Sequence, residues 1–261
     1  MARNKKHKQD KFYTKPHLVL ELLKNINTLE FDLIIEPSAG NGSFYNQINS
    51  IYKIGLDIEP ECNGVVKMDW FEYKLDKEYK NILVVGNPPF GNQGSLAMKF
   101  IKKCDDIKAN KIAFILPKSF KKESYKRKIP VNYFLIEEID LCDNSFTLLD
   151  KEYSVPCVFQ VWERREQARH IEDFKTNTKL FSFVKKSENP DYAFRRVGFY
   201  AGKIYTDYVE KSEQSHYFIK SSDEIKKILE SISWEHNNTA GPRSIGKSEL
   251  IKRVEEIIFS K

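Results

Sequence analysis

Cysteine is scarce. Cys62, Cys104, Cys142 and Cys157 are the only four in 261 residues, and no two form a Cys-x-x-Cys pair. That spacing gives no support to a zinc site or a redox dithiol, and it fits free thiols in a reducing compartment. No metal site is expected. Long apolar runs are missing as well: none approaches the roughly 20 residues of a membrane-spanning helix. The first residues also lack the apolar stretch of a secretory signal. The expectation is a soluble intracellular protein, cytoplasmic or in the nucleoid or nucleus, without a membrane partner. No internal repeat is present.

What remains is a composition with a core. Hydrophobic residues make up 41% of the chain and charged residues 31%, with a net charge of +6 and a pI near 8.9. That apolar fraction argues against global disorder, and the length suits one α/β domain with a smaller appendage. The mild basic excess is compatible with a polyanionic partner. It is unevenly spread. Residues 1–11 carry Arg3, Lys5, Lys6, Lys8 and Lys11, which read either as a solvated start or as an arm on phosphate. Lys118 to Lys128 is densely basic, with Lys121 and Lys122 at its centre, and reads either as a solvated helix or as a phosphate-tracking one.

Strand and helix signals alternate. Thr14 suits a helix N-cap with Pro16 in the first turn, before Leu18, Val19, Leu22, Leu23 and Ile26 at helical spacing. Strands are expected at 31–35, 52–58, 64–68, 83–86, 111–116, 133–141 and 155–162, with a helix from about Ser95 to Cys104. This pattern predicts a parallel, doubly wound sheet whose last strand can run antiparallel. Ligands of such sheets lie beyond the carboxyl ends of the strands.

Four stretches stand at those ends. Glu36-Pro37-Ser38-Ala39-Gly40-Asn41-Gly42-Ser43-Phe44 is a glycine-containing turn, and a helix is expected to begin near Gly42 with free N–H groups for a polar ligand end. The Gly-x-x-Gly spacing of a dinucleotide fingerprint is absent, which disfavours NAD. Asp57, at the tip of the next strand, suits a ribose diol, and Ile58 suits a face of adenine. Asp69 can accept from an adenine amine, with an aromatic neighbour such as Trp70 packing on the ring. Last comes Asn87-Pro88-Pro89-Phe90. Prolines stiffen the chain there and offer two fixed acceptors, the Asn87 side-chain oxygen and the Pro88 carbonyl. Such a corner fits a planar NH2 group, favours a pyramidal nitrogen and stabilises positive charge developing on it, while Phe90 stacks on the ring. Phe146, between two late strands, reads either as an exposed aromatic that stacks on a target base or as a loop residue folded onto the core.

The C-terminal part holds two apolar helical stripes, one capped by Ser222 and the other running from Leu250 to Ile258. It also matches the Gly-x4-Gly-Lys-Ser phosphate loop at 241–248. No apolar strand precedes that match and too little chain follows it, so a loop placing Arg243 and Lys247 on nucleic-acid phosphate is preferred to an ATPase.

Together these motifs resemble the S-adenosylmethionine-dependent amino-methyltransferases of the N6-adenine class in their gamma order, over about residues 12–162. Phe12-Tyr13-Thr14 with Pro16 resembles the motif before the first strand, with Lys15 where proline is common. The Glu36–Phe44 stretch resembles the cofactor loop, Asp57-Ile58 and Asp69-Trp70 the ribose and adenine contacts, and Asn87-Pro88-Pro89-Phe90 the catalytic tetrapeptide. The resemblance implies a class I methyltransferase fold, Rossmann-like, with a mostly parallel seven-stranded sheet, helices on both faces and a small α+β C-terminal region. It implies a basic arm (1–11), a catalytic domain (12–165) and a target-recognition region (166–261). S-adenosylmethionine is the implied cofactor. Its binding residues would be Tyr13, Thr14, Glu36, Ser38, Ala39, Gly40, Gly42, Phe44, Asp57, Ile58, Asp69, Trp70 and Asn87. The implied activity is methylation of adenine N6 in nucleic acid, DNA before RNA. Asn87, Pro88, Pro89 and Phe90 would be catalytic, and Phe90, Phe146, Lys121, Lys122, Arg243 and Lys247 would bind substrate. The alternatives are an RNA adenosine methyltransferase, including one for cap-adjacent adenosine, a glutamine amide methyltransferase, or a silent nucleic-acid-binding subunit.

Overall fold

The computed structural model describes residues 13–142, 145–148, 151–153, 155–171, 175–234 and 243–259. The basic stretch 1–11, Phe12, Asn144, residues 235–240 and the Gly241-Pro242 start of the phosphate-loop match lie outside them. The chain forms two compact units, Met1–His170 and Ile171–Lys261.

In unit 1 the elements run β1 (Tyr13–Thr14), α1 (Pro16–Leu23), β2 (Leu33–Glu36), β3 (Lys53–Asp57), β4 (Val65–Lys67), β5 (Ile82–Gly86), α2 (Ser95–Asp106) and β6 (Lys111–Pro117). They continue with α3 (Glu123–Lys126), β7 (Tyr133–Asp140), β8 (Phe146–Leu148), β9 (Lys151–Tyr153) and β10 (Cys157–Arg164). Seven strands form one sheet in the order β4-β3-β2-β5-β6-β10-β7. Strands β2 to β6 pair in parallel. Strand β10 slots antiparallel between β6 and β7. This is the class I methyltransferase arrangement.

The sheet is covered on both faces, and period-two alternation decides which residue serves which face. Leu33, Ile35, Ile82, Val84, Ile112, Phe114 and Leu116 face one core, joined by Ala97, Phe100, Ile101 and Cys104 of α2. Ile34, Leu83, Val85, Ala113 and Ile115 face the other, joined by Val19, Leu22 and Leu23 of α1. The central strands are apolar throughout because both faces are buried.

Three local expectations are corrected. Lys15, not Thr14, is the residue before α1, and its side chain makes no capping bond. Thr14 is instead buried in β1, paired with Phe146 of β8. The helix expected near Gly42 shrinks to one 3-10 turn, Tyr45–Gln47. Lys118–Lys128 forms a 3-10 turn and the short α3, not a free basic helix. Its cations are knitted to β7: Lys118 and Lys121 to Asp140 at 3.7 and 3.0 Å, and Lys126 to Glu138 at 3.1 Å.

The unit extends past the last strand. Arg169 donates to the carbonyls of Tyr133, Lys126 and Ile129 at 2.9, 2.7 and 2.6 Å.

In unit 2, β11 (Phe181–Val184), β12 (Tyr192–Arg195), β13 (Ile204–Tyr205) and β14 (His216–Ser221) form an antiparallel sheet in the order β11-β14-β12-β13. Two helices, α4 (Asp223–Ser231) and α5 (Lys247–Phe259), pack Ile225, Leu229, Leu250, Ile251 and Val254 into its core. Ser222 caps α4, accepting from the Ile225 N–H at 3.4 Å. An antiparallel sheet is a wrong frame for a phosphate-loop nucleotide site, and Lys247 of that match lies over the Phe183 ring, 4.6 Å from its centroid.

Candidate active site

The carboxyl ends of β2, β3, β4 and β5 open on one cavity of about 630 Å³, within the ~300–1,000 Å³ range of small-molecule sites. Each wall follows from how a strand ends.

Strand β2 ends in Glu36, and the chain turns through Pro37, Ser38 and Ala39 along the cavity. The far end of the turn is held to β3: the Ala39 N–H donates to Leu56 O at 2.9 Å, and the Gly40 N–H donates to Asp57 Oδ2 at 2.7 Å. Gly40 has φ +49°, and a Cβ there would sit 3.3 Å from the Tyr13 ring. Only glycine meets both conditions without strain. The Tyr13 hydroxyl donates to Glu61 at 2.6 Å, so Tyr13 stands beside Gly40 as part of the wall.

Gly42 takes no part in the cavity. A Cβ at Gly42 would collide with the Cys62 sulfur at 2.5 Å, so this glycine serves packing behind the turn. Phe44 lines the cavity while buried to 1% exposure.

Glu36 is the most unusual group in the wall. It is 2% exposed, and among the described residues Oε2 has no hydrogen-bond partner. Burial pushes its carboxyl well above the ordinary 4.5; the Tyr45 and Phe44 backbone N–H groups and Lys53 oppose this, and the Asp57 charge adds to it. A buried, half-satisfied carboxyl is costly unless a ligand completes it.

Asp57 at the tip of β3 lines the cavity, with Oδ2 on Gly40 and Oδ1 accepting from the Glu59 N–H at 2.8 Å. Each carboxylate oxygen keeps a further lone pair for a hydroxyl. Beyond β4, Asp69 Oδ1 accepts from the Phe71 N–H at 2.9 Å. Trp70 enters the core, stacked on Tyr73 at 5.9 Å, and its indole N–H has no partner among the described residues. Phe71, 41% exposed, meets Phe100 edge-on at 5.2 Å. Ile58, Met68, Phe71 and Phe100 thus give the cavity an apolar face.

Strand β5 leaves the sheet at Gly86, whose φ of +146° is a glycine conformation; a Cβ there would lie 3.1 Å from Glu36 Cγ. Asn87, Pro88, Pro89 and Phe90 follow and all line the cavity. The Ser38 hydroxyl donates to the Asn87 carbonyl at 3.3 Å, and the Asn87 side-chain amide donates to Thr14 Oγ1 at 3.4 Å. The Phe90 carbonyl accepts from Leu96 and Ala97 N–H at 3.0 and 3.3 Å. It therefore satisfies the first turn of α2, which has no side-chain cap.

Phe146 also lines the cavity, but in β8 and only 1% exposed. It is a core aromatic and not an exposed base-stacker, held there because β8 pairs with β1. Lys121 and Lys122 are not cavity residues, and Arg243 and Lys247 belong to unit 2. Sequence reasoning missed Met68, Leu96, Phe100 and Val155. Only the adjacency of Met68 to Asp69 could have signalled one of them.

No family model matches the chain and no curated protein matches it. Similarity to solved structures is at the level of the fold. A Pyrococcus horikoshii protein with a provisional RNA-methyltransferase assignment is 14% identical over 60% of this chain and 88% of its own, with a TM-score of 0.45. The N-methyltransferase NodS of Bradyrhizobium japonicum is 10% identical over 58% of this chain and 94% of its own, at 0.41. The magnesium protoporphyrin IX methyltransferase of Synechocystis, with bound S-adenosylmethionine, is 12% identical over 57% of this chain and 77% of its own, at 0.39. Among the described residues no helix is long and apolar enough to cross a membrane, and no cluster of residues suits a metal ion.

Proposed function

We propose that unit 1 is an S-adenosylmethionine-dependent methyltransferase acting on the exocyclic N6 amine of adenine in nucleic acid, DNA before RNA. The observation that carries this reading is one of convergence: the Asn87–Phe90 corner, the Glu36–Gly40 turn, Asp57 and Asp69 share one cavity.

The residues present fit the cofactor. The unpartnered Glu36 Oε2 suits a cationic ammonium, Asp57 a ribose diol, Asp69 an adenine amine, and Ile58 with Phe71 the adenine faces. Tyr13, Thr14, Ser38, Ala39, Gly40, Phe44 and Trp70 complete the enclosure. When bound, S-adenosylmethionine supplies an electrophilic methyl group.

The chain's own work is at the amine. Asn87 Oδ1 and the Pro88 carbonyl accept the two N–H bonds of the target and draw its lone pair out of conjugation. Their fixed dipoles stabilise the positive charge that builds on nitrogen, and that charge is discharged when one N–H proton passes to water. Pro88 and Pro89 keep the corner from relaxing. Phe90 stacks on the purine, and a base in a duplex must first be flipped out.

Unit 2 is the proposed target-recognition part, with Arg243 and Lys247 on phosphate. Lys121 and Lys122 are a weaker part of this reading, since Lys121 is held by Asp140. The test is transfer of radiolabelled methyl to duplex DNA, single-stranded DNA and RNA, followed by nucleoside analysis. Label in N6-methyladenosine or its deoxy form, abolished in Asn87→Ala, is the expected result. Label in no acceptor, or in a nucleoside other than these, refutes it.

A further inference from the structure

Unit 2 carries a second concavity, of about 320 Å³, built from β11 and the residues after it, the residue after β12, β14 and the start of α5. Lys185, Lys186, Arg196 and Lys247 line it, with Glu213 as the single carboxylate in the wall. Among the described residues, no ion pair neutralises any of the four cations. Two aromatic rings lie under two of them, Arg196 and Lys247. The Lys247 ammonium is 4.6 Å from the Phe183 centroid and 5.8 Å from that of Tyr217, and the Arg196 guanidinium is 5.5 Å from Tyr217.

Four uncompensated cations gathered round one depression, two of them over aromatic rings, suit a compact anion. Arg196 is fixed by donating to the Gln214 carbonyl at 2.8 Å and Lys186 by donating to the Lys211 carbonyl at 3.0 Å. The site is therefore shaped before any ligand arrives.

One ribbon extends this site. Residues 196–198 run against 243–245, joined by Ile245 N–H to Arg196 O and Gly198 N–H to Arg243 O, each at 2.8 Å. Past that ribbon Phe199 and Tyr200 are 76% and 59% exposed and meet edge-to-face at 5.2 Å. The Arg243 guanidinium lies 5.3 Å from the Phe199 centroid and the Lys203 ammonium 5.7 Å from that of Tyr200. Two bare rings flanked by cations form a stacking platform. A paired base offers no free face to such rings; an unpaired one does.

We propose that unit 2 binds unpaired nucleotides, with a backbone phosphate in the Lys185–Arg196–Lys247 depression and a base face on Phe199 or Tyr200. This deepens the nucleic-acid part of the proposed function and rests on it for its purpose, since it selects single-stranded or unpaired substrate over duplex.

The test uses the full chain and fluorescence anisotropy with labelled single-stranded RNA, single-stranded DNA and the matching duplex. At least one single strand is expected to bind about 10-fold tighter than duplex, a ratio that one or two stacked bases provide. The pair Lys185→Glu with Lys247→Glu, both exposed, should weaken single-strand binding about 10-fold. It should also flatten the salt dependence by about 0.7 for each phosphate that is no longer neutralised. Phe199→Ala with Tyr200→Ala should remove the preference for single strands. Lys252→Glu, exposed elsewhere on α5, is the charge control.

Equal or tighter duplex binding overturns the inference, as does a charge pair no weaker than Lys252→Glu. Binding to phosphatidylserine vesicles but to none of the three oligonucleotides overturns it too. Single-strand preference without methyl transfer to any of these substrates supports this inference and counts against adenine methylation alone.

Discussion

The side-chain amide of Asn87 donates to the hydroxyl of Thr14 at 3.4 Å, joining residues 73 positions apart in the chain. This hydrogen bond turns the Asn87 NH2 toward β1 and so fixes which way its carbonyl oxygen is presented. Thr14 can do this because β1 is paired with β8 rather than opening a helix. A residue whose sequence context suits a helix cap is thereby a positioning residue for the corner at the end of β5.

Removing that acceptor is the most direct probe of the corner. Thr14→Val keeps the shape and loses one modest hydrogen bond, so single-turnover methyl transfer should fall about 3- to 10-fold. Cofactor affinity should change little, and Thr14→Ser should restore the rate. Asn87→Ala should cost ~10²–10³-fold or more in rate and leave cofactor binding nearly intact by calorimetry. Normal turnover in Asn87→Ala removes the corner from the mechanism.

Glu36 makes folding sensitive to pH in an unusual direction. Its folded-state pKa is raised by burial, so between the ordinary carboxyl pKa and that raised value the folded chain holds a proton that the unfolded chain has released. In that window stability falls as pH rises, and below it no penalty exists. Glu36→Gln should flatten this limb of the melting-temperature profile and exceed the parent protein above the window. Parallel profiles would show that burial does not govern the group. A cationic ligand end at Oε2 would favour the carboxylate, so cofactor binding should release a proton. Calorimetry in buffers of different ionisation enthalpy reads that release.

Asp57 has two tasks that one substitution separates. It accepts from the Gly40 and Glu59 N–H groups, and bonds to a charged acceptor are worth about 1.5–3 kcal/mol each. Asp57→Ala should lower unfolding stability by a few kcal/mol at most and weaken cofactor binding at least ~10-fold. Asp57→Asn keeps an acceptor oxygen and should recover more stability than affinity. Chemical denaturation beside cofactor titration measures both.

Phe146 distinguishes a surface stacker from a core residue. At 1% exposure its truncation to alanine should cost about 3–5 kcal/mol, whereas an exposed aromatic would cost a fraction of that. Phe146→Leu keeps much of the volume and should fold close to normally. A marginal loss in Phe146→Ala would show that the ring is not in the core.

The seven strands of the large sheet were readable as short, largely apolar runs, several of them closed by glycine, proline or an acid. Leu83-Val84-Val85-Gly86, closed by glycine, is one example and Ile112 to Pro117, closed by proline, another. The site residues at the strand tips were readable for a related reason: topology sends parallel carboxyl ends to one edge. The roles of Thr14, Gly42 and Phe146 were not readable. Each depends on a partner distant in sequence: Phe146 for Thr14, Cys62 for Gly42, and β1 for Phe146. The basic run at 118–128 misled for the same reason, since Asp140 and Glu138 neutralise it only once β7 lies alongside.

The sequence by itself determined the alternation of strands and helices, the stiff corner at Asn87-Pro88-Pro89-Phe90 and the acids at the strand ends. These follow from local sterics and from patterns of burial written into neighbouring residues. Tertiary structure alone decided that Glu36 is buried without a full set of partners, that Phe71 rather than Trp70 keeps an exposed face, and which cations remain uncompensated. Desolvation and charge pairing depend on what lies across space, and no stretch of chain carries that information in its own letters.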